Sequence, residues 1–157
     1  MATEEVKKQN YLRMSNMVLT SLAVGVWDTL GETSYALSLT MGNELIHMFE
    51  KEMGLEIAGE TPEDVIQEIA RIFVDEFGFA SNIEVVNGGS DKIQIKVTKC
   101  INRKLTDKLM EEGVETPFIC PIMNATFAAL SRMGFRMHHE VVKWKEGDGS
   151  IITLTKV

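Results

Sequence analysis

Two cysteines are too few, in a chain of 157 residues, to staple a small fold, so a disulfide scaffold is excluded and the reducing cytoplasm is the default compartment. Positive charge is also short. Lysine and arginine number 16 against 23 acids, for a net charge of −7, which leaves no basic face for a phosphate backbone and argues against a nucleic-acid partner. The most apolar stretch, Met17 to Trp27, runs about eleven residues and carries Thr20 and Ser21. A bilayer span needs about twenty, so this stretch reads as a buried helix rather than a membrane span. The N-terminus, Met1-Ala-Thr-Glu-Glu, is acidic where a signal peptide is basic. No repeat, low-complexity tract or linker interrupts the sequence, and residues 1–157 read as one domain. Nucleophile elbow, Walker loop, dinucleotide fingerprint and zinc-protease motif are all missing, so enzyme chemistry has no signature here.

The periodicities that are present describe an α+β domain. From Glu4 to Leu30 the positions Met14, Val18, Leu22 and Val26 recur every four residues, with Leu19, Ala23 and Trp27 beside them. A stripe that wide predicts a helix buried on more than one side, with the surplus face packed on a second subunit as a homodimer. A second helix is expected from Glu32 or Thr33, its apolar face formed by Tyr35, Leu39, Ile46, Phe49 and Met53. Gly42 falls inside it, where a close crossing by another backbone would justify the cost of about 1 kcal/mol relative to Ala. Thr61-Pro62-Glu63-Asp64 is a strong helix start, with Thr61 as cap and Pro62 at the first helical position. The period then changes to two. Ile83 and Val85, the turn Asn87-Gly88-Gly89-Ser90-Asp91, and Ile93, Ile95 and Val97 spell a hairpin. A short polar helix follows over 103–112, then a helix opened by Cys120-Pro121 whose apolar face holds Met123, Phe127, Leu130 and Met133. A second hairpin, 135–144 and 151–157, closes the chain. Antiparallel strands with helices segregated against them define the class.

The candidate chemistry gathers on Cys100 and Cys120. Cys120 stands at a predicted helix N-cap, where unpaired N–H groups and the positive dipole end lower a thiol pKa. Cys100 follows the second strand, so the two sulfurs meet if the last helix packs over that strand end. Their spacing matches no CxxC metal motif. They are read as a redox pair, as two ligands of a metal such as zinc or iron with His139 as a third, or as unrelated buried thiols. Two cysteines and one histidine would leave an open coordination position. His138 and His139 lie in a strand and point to opposite faces, so only one of them can join such a site; an exposed histidine beside a buried one is the plainer expectation. His47 is expected at the surface. Ten methionines read first as gap-filling core, with Met14, Met48, Met53, Met123 and Met133 in helical apolar patterns, and second as an adaptable pocket lining.

From residue 36 onward the chain resembles the 4-vinyl reductase-type domain, a small-molecule-binding fold related to Bet3-type trafficking subunits and haem-nitric-oxide-binding domains. The resemblance rests on Met41-Gly42-Asn43, Phe77-Gly78-Phe79, the cysteine-opened helix Cys120-Pro121-Ile122-Met123-Asn124-Ala125 and the turn Gly147-Asp148-Gly149. It implies a hydrophobic pocket between the helices and the first hairpin, with Cys120, Cys100, Met123 and Phe127 facing a small hydrophobic or porphyrin-like ligand. The chain departs from the pattern at Ile151, near the place where many members carry a further cysteine, which removes a thiol from any family metal site. A ligand-binding or sensor domain is therefore the leading expectation, ahead of a metal or redox dithiol protein. An interaction module that uses the N-terminal helix comes third, and an enzyme with Cys120 as nucleophile last.

Overall fold

The computed structural model describes residues 1–89 and 91–157. Its first element is a 27-residue helix, α1 (Glu4–Leu30), capped by Thr3, whose side chain accepts a hydrogen bond from the Val6 N–H, and led by Glu4 and Glu5 at its positive end. A 3-10 segment, Gly31–Ala36, turns the chain into α2 (Leu37–His47). The expected second helix therefore begins four or five residues late. It also ends in a π-turn, Met48–Glu52, as does the third helix α3 (Pro62–Arg71) over Ile72–Glu76. Periodicity gives no sign of either π-turn, because one inserted residue barely disturbs a 3.6-residue pattern. The two π-turns meet through Phe49 and Phe73, whose rings sit edge-on at 5.7 Å.

The start of α3 follows the sequence closely. Thr61 and Asp64 form a reciprocal capping box with Pro62 at the first position. Then come the strands β1 (Asn82–Asn87) and β2 (Lys92–Thr98), the helices α4 (Arg103–Glu111) and α5 (Pro121–Arg132), and the strands β3 (Met137–Trp144) and β4 (Gly149–Lys156). Ser90, in the turn of the first hairpin, lies outside the described residues. The four strands make one antiparallel sheet in the order β1-β2-β4-β3. The fold class is α+β.

One face of the sheet is covered. Ile93, Ile95 and Val97 of β2, Ile152 and Leu154 of β4, and Met137 and Val141 of β3 pack into a core with α2, α3 and α5. Helix α5 is central and buried nearly all round, Ile122 to Thr126 and Ala128 to Leu130 being inaccessible; the single apolar face expected for it is too narrow a description. Gly42 explains how α2 reaches it. A Cβ there would stand 2.0 Å from the Asn124 carbonyl oxygen, so the two helices cross backbone to backbone.

A second, smaller cluster joins Ala23 to Leu105, Leu109, Val114, Phe118 and Ile119. It anchors only the C-terminal half of α1, where Trp27 stacks on Phe118 and donates its indole N–H to the Glu112 carbonyl at 3.2 Å. The expectation of a helix buried on several sides fails for one chain: Ala23 is the only buried residue of α1, while Tyr11, Met14, Met17, Val18 and Leu22 are exposed. Of the methionines assigned to the core, Met123 is buried but Met14 and Met53 face water. No helix among the described residues is long and apolar enough to cross a membrane.

Candidate functional site

The thiols are brought together by the crossing of two chain turns. Gly149, first residue of β4, lies so close to β2 that a Cβ would stand 1.6 Å from the Val97 carbonyl oxygen. Beside that approach, Lys99 and Asp148 hold positive φ angles of 51° and 48°, the only non-glycine residues among those described to do so. Such backbone costs of the order of 1 kcal/mol per residue and persists where the surroundings fix it; here the Lys99 N–H donates to the Asp148 carbonyl at 3.2 Å. The chain leaves β2 through this corner, and Cys100 is the next residue. Cys120 arrives from the other side as the N-cap of α5, in extended backbone.

Both cysteines are free and half-buried. They line one small cavity with Val97, Ile122, Val141 and Met110. The cavity encloses about 30 Å³, room for a water molecule or two and nothing larger. One wall is charged. Arg103 reaches Asp148 at 3.0 Å and Asp107 at 3.5 Å, and Lys143 from β3 closes on Asp107 at 2.7 Å. The Lys143 ammonium, with Arg103 behind it, holds the Asp107 carboxyl below the usual carboxylate range.

The lowered thiol pKa expected for Cys120 at the helix end is corrected. Burial pushes its thiol up to about 12, against the pull of the Met123 and Ile122 amides, and the neighbouring Cys100 adds to the rise. Its side chain makes no capping hydrogen bond. Desolvation of a thiolate outweighs the helix end. Cys100 is raised as well, again by burial, with the Asn102 amide and Arg103 opposing. At neutral pH both are protonated, weakly polar groups. In this resting state neither thiol carries the charge of a thiolate nucleophile.

The other predicted residues separate from them. Met123 is buried in the main core, and Phe127 packs on that core too; neither lines the cavity. His139 is half-buried with its ring edge-on to Phe127 at 5.2 Å, and burial lowers its pKa, while His138 is exposed on the opposite face. His47 is exposed. Among the described residues no group of three or more His, Cys, Asp or Glu side chains is placed to hold a metal ion. The cavity also lies at the end of the sheet, with more of its lining from the second hairpin (Val141, Val142, Lys143, Gly149, Ser150) than from the first.

Sequence reasoning missed Asn102, which is 7% exposed. It lines both the thiol cavity and a larger groove between α1 and α4, of about 540 Å³, bordered by Arg13, Met17, Thr20, Ile101, Lys104 and Leu105. A single buried asparagine thus stands between a narrow cavity and a wide groove. An asparagine two residues after a cysteine is the signal available, and it reads as a turn residue.

A family model described as "Putative rubredoxin C-terminal domain" (RdxA_C) matches residues 14–157. The chain belongs to the RdxA_C family. No curated relative matches this RdxA_C chain significantly. Among solved structures it is similar to trafficking protein particle complex subunit 3 from Naegleria fowleri, covalently bound to palmitic acid, with 20% identity, TM-score 0.60 and coverage of 98% of this chain and 97% of that one. It is also similar to the phenol-responsive sensory domain of the transcription activator PoxR, solved with phenol, at 10% identity and TM-score 0.60 over 90% and 74% of the two chains. An oxygen-binding H-NOX domain matches at TM-score 0.48 and 11% identity, over 83% and 66%. At these identities the first two establish a shared fold. The family name refers to a rubredoxin, whose iron needs four thiolates in a tetrahedron. Two cysteines do not supply the four thiolates of that centre in this RdxA_C chain.

Proposed function

We propose that this chain is a small-molecule-binding sensor domain, and that its ligand enters at the boundary between the α1–α4 groove and the thiol cavity. The observation that supports this most is the shared wall at Asn102. The closed cavity alone admits no ligand. Ligand sites for small organic molecules run from about 300 to 1,000 Å³, and the groove beside it, at about 540 Å³, falls in that range. Movement of Asn102, which lines both, would join the two.

The chemistry of the walls suggests what fits. Val97, Ile122, Val141, Met110 and two neutral thiols offer an apolar end, while Arg13 and Lys104 stand at the groove. A compact molecule with an apolar body and a weakly acidic or anionic head suits that gradient. The resemblance to 4-vinyl reductase-type domains points the same way, as do the phenol and palmitic acid carried by the two structural neighbours. A porphyrin is far too large for the closed cavity. Native mass spectrometry of protein purified from its own host tests the reading. A bound molecule of a few hundred daltons, lost when Met110→Trp fills the thiol cavity, is the expected result; protein that is empty in both forms contradicts it.

A further inference from the structure

The outer face of α1 is unexplained by anything within the chain. Residues 1–18 are all exposed, so the first fifteen residues of α1 stand clear of the core. An isolated helix of that length is marginal in water and relies on a packed face for its stability. The side of α1 that anchors the helix is fixed by Ala23 and Trp27. Turned away from it, at helical spacings of 3, 4, 4 and 3, run Tyr11, Met14, Val18, Leu22 and Gly25. The four large side chains are 74%, 59%, 59% and 62% exposed, and no position of the stripe itself carries a charge. Continuous apolar stripes of this kind mark a surface that is covered in the working molecule.

Gly25 says what covers it. A mid-helix glycine is unfavourable without a structural reason, and a Cβ at Gly25 would meet nothing within 4 Å. Gly42 shows the reason this chain uses elsewhere, a second helix crossing at the glycine. We propose that the stripe is the interface with a second copy of this chain, the two α1 helices packing antiparallel about Val18. In that register Tyr11, seven residues before Val18, lies opposite Gly25, seven residues after it. An aromatic ring enters the notch that the missing Cβ leaves, and Met14 meets Leu22. Over fourteen residues the contact runs about 21 Å.

Charge favours the antiparallel sense. Lys7 and Lys8 lie near the start of α1, close behind Glu4 and Glu5, and Asp28 lies near its end, where no basic residue stands in the last turn. Antiparallel packing about Val18 sets Lys8 of one copy level with Asp28 of the other and opposes the two helix dipoles. The contact is isologous, so it closes at two copies.

Sedimentation equilibrium between 1 and 100 µM tests the proposal. The wild-type chain should run at twice 17.6 kDa, and Val18→Asp should run at the monomer mass with an unchanged circular dichroism spectrum. Leu22→Asp is the second variant should Val18→Asp lose structure. Gly25→Leu should weaken the dimer at least tenfold. A monomeric wild type overturns the inference, and so does a dimer that survives both aspartates. A monomer that pellets with anionic lipid vesicles gives the stripe to a membrane surface and overturns it too.

Discussion

Helices α1 and α5 read much alike in the sequence: long, apolar, with glycine close at hand. Their fates are opposite. Helix α5 carries Ala125, Ala128 and Ala129, so α2 and the sheet close on it from both sides and almost nothing remains exposed. Helix α1 carries Tyr11, Met14, Val18 and Leu22, which project into water. Small side chains let backbones approach, whereas large ones on a solvent face need a partner with room for them. The width of an apolar stripe thus shows how much surface will be buried, and the size of its residues indicates how closely the covering element can come.

The sharpest way to test that difference is to add a methyl group to each helix-interior glycine. Gly42→Ala drives a Cβ into the Asn124 carbonyl and should cost about 3 kcal/mol, the upper range for overpacking a core. Gly25→Ala has open space and should stabilise the isolated chain by up to about 1 kcal/mol. Urea denaturation at low protein concentration reads both. Equal effects at the two sites would remove the basis of the comparison.

The thiols come next. A group whose folded pKa is raised contributes stability that is complete below the unfolded value and is lost as pH rises. Cys120 stays neutral in the folded chain up to about 12, while an unfolded thiol ionises near 8.5. Stability should therefore fall from about pH 8.5 upward, with about 1 to 2 kcal/mol lost by pH 10 through this residue. Cys120→Ala should show that much less decline between pH 8 and pH 10 in paired melts. In the same window native Cys120 should react slowly with a thiol reagent, and fast labelling at pH 7.5 would contradict its assignment as neutral. Smaller again is the capping box. Thr61→Ala should cost about 1 kcal/mol in denaturant unfolding. Asp107→Asn, which loosens the half-exposed Lys143 and Arg103 pairs, should cost no more than about 1 kcal/mol.

Much of this fold was legible in local sequence. The alternation around Ile93 and Ile95, the Thr61 cap, the close crossing at Gly42 and the opposed His138 and His139 all follow from short-range patterns. The strand order β1-β2-β4-β3 does not, since it depends on pairing between residues more than fifty positions apart, such as Ile95 and Ile152. The site was legible only in part. Cys100 and Cys120 do share a cavity, as the placement of α5 over the end of β2 requires. Their protonation was misread because a cap position is local, whereas the desolvation that overrides it comes from Val97, Ile122 and Val141 on three separate elements. Met123 and Phe127 enter the site only through the family resemblance, and the helix turns them toward the core.

The most direct test of the ligand-binding reading is calorimetric titration of the wild-type chain and Met110→Trp with phenol and with octanoate. Saturable binding of at least one probe at one site per chain, abolished by Met110→Trp while the fold and sedimentation mass stay unchanged, is the predicted result. No binding of either probe, or binding that Met110→Trp leaves intact, would contradict it.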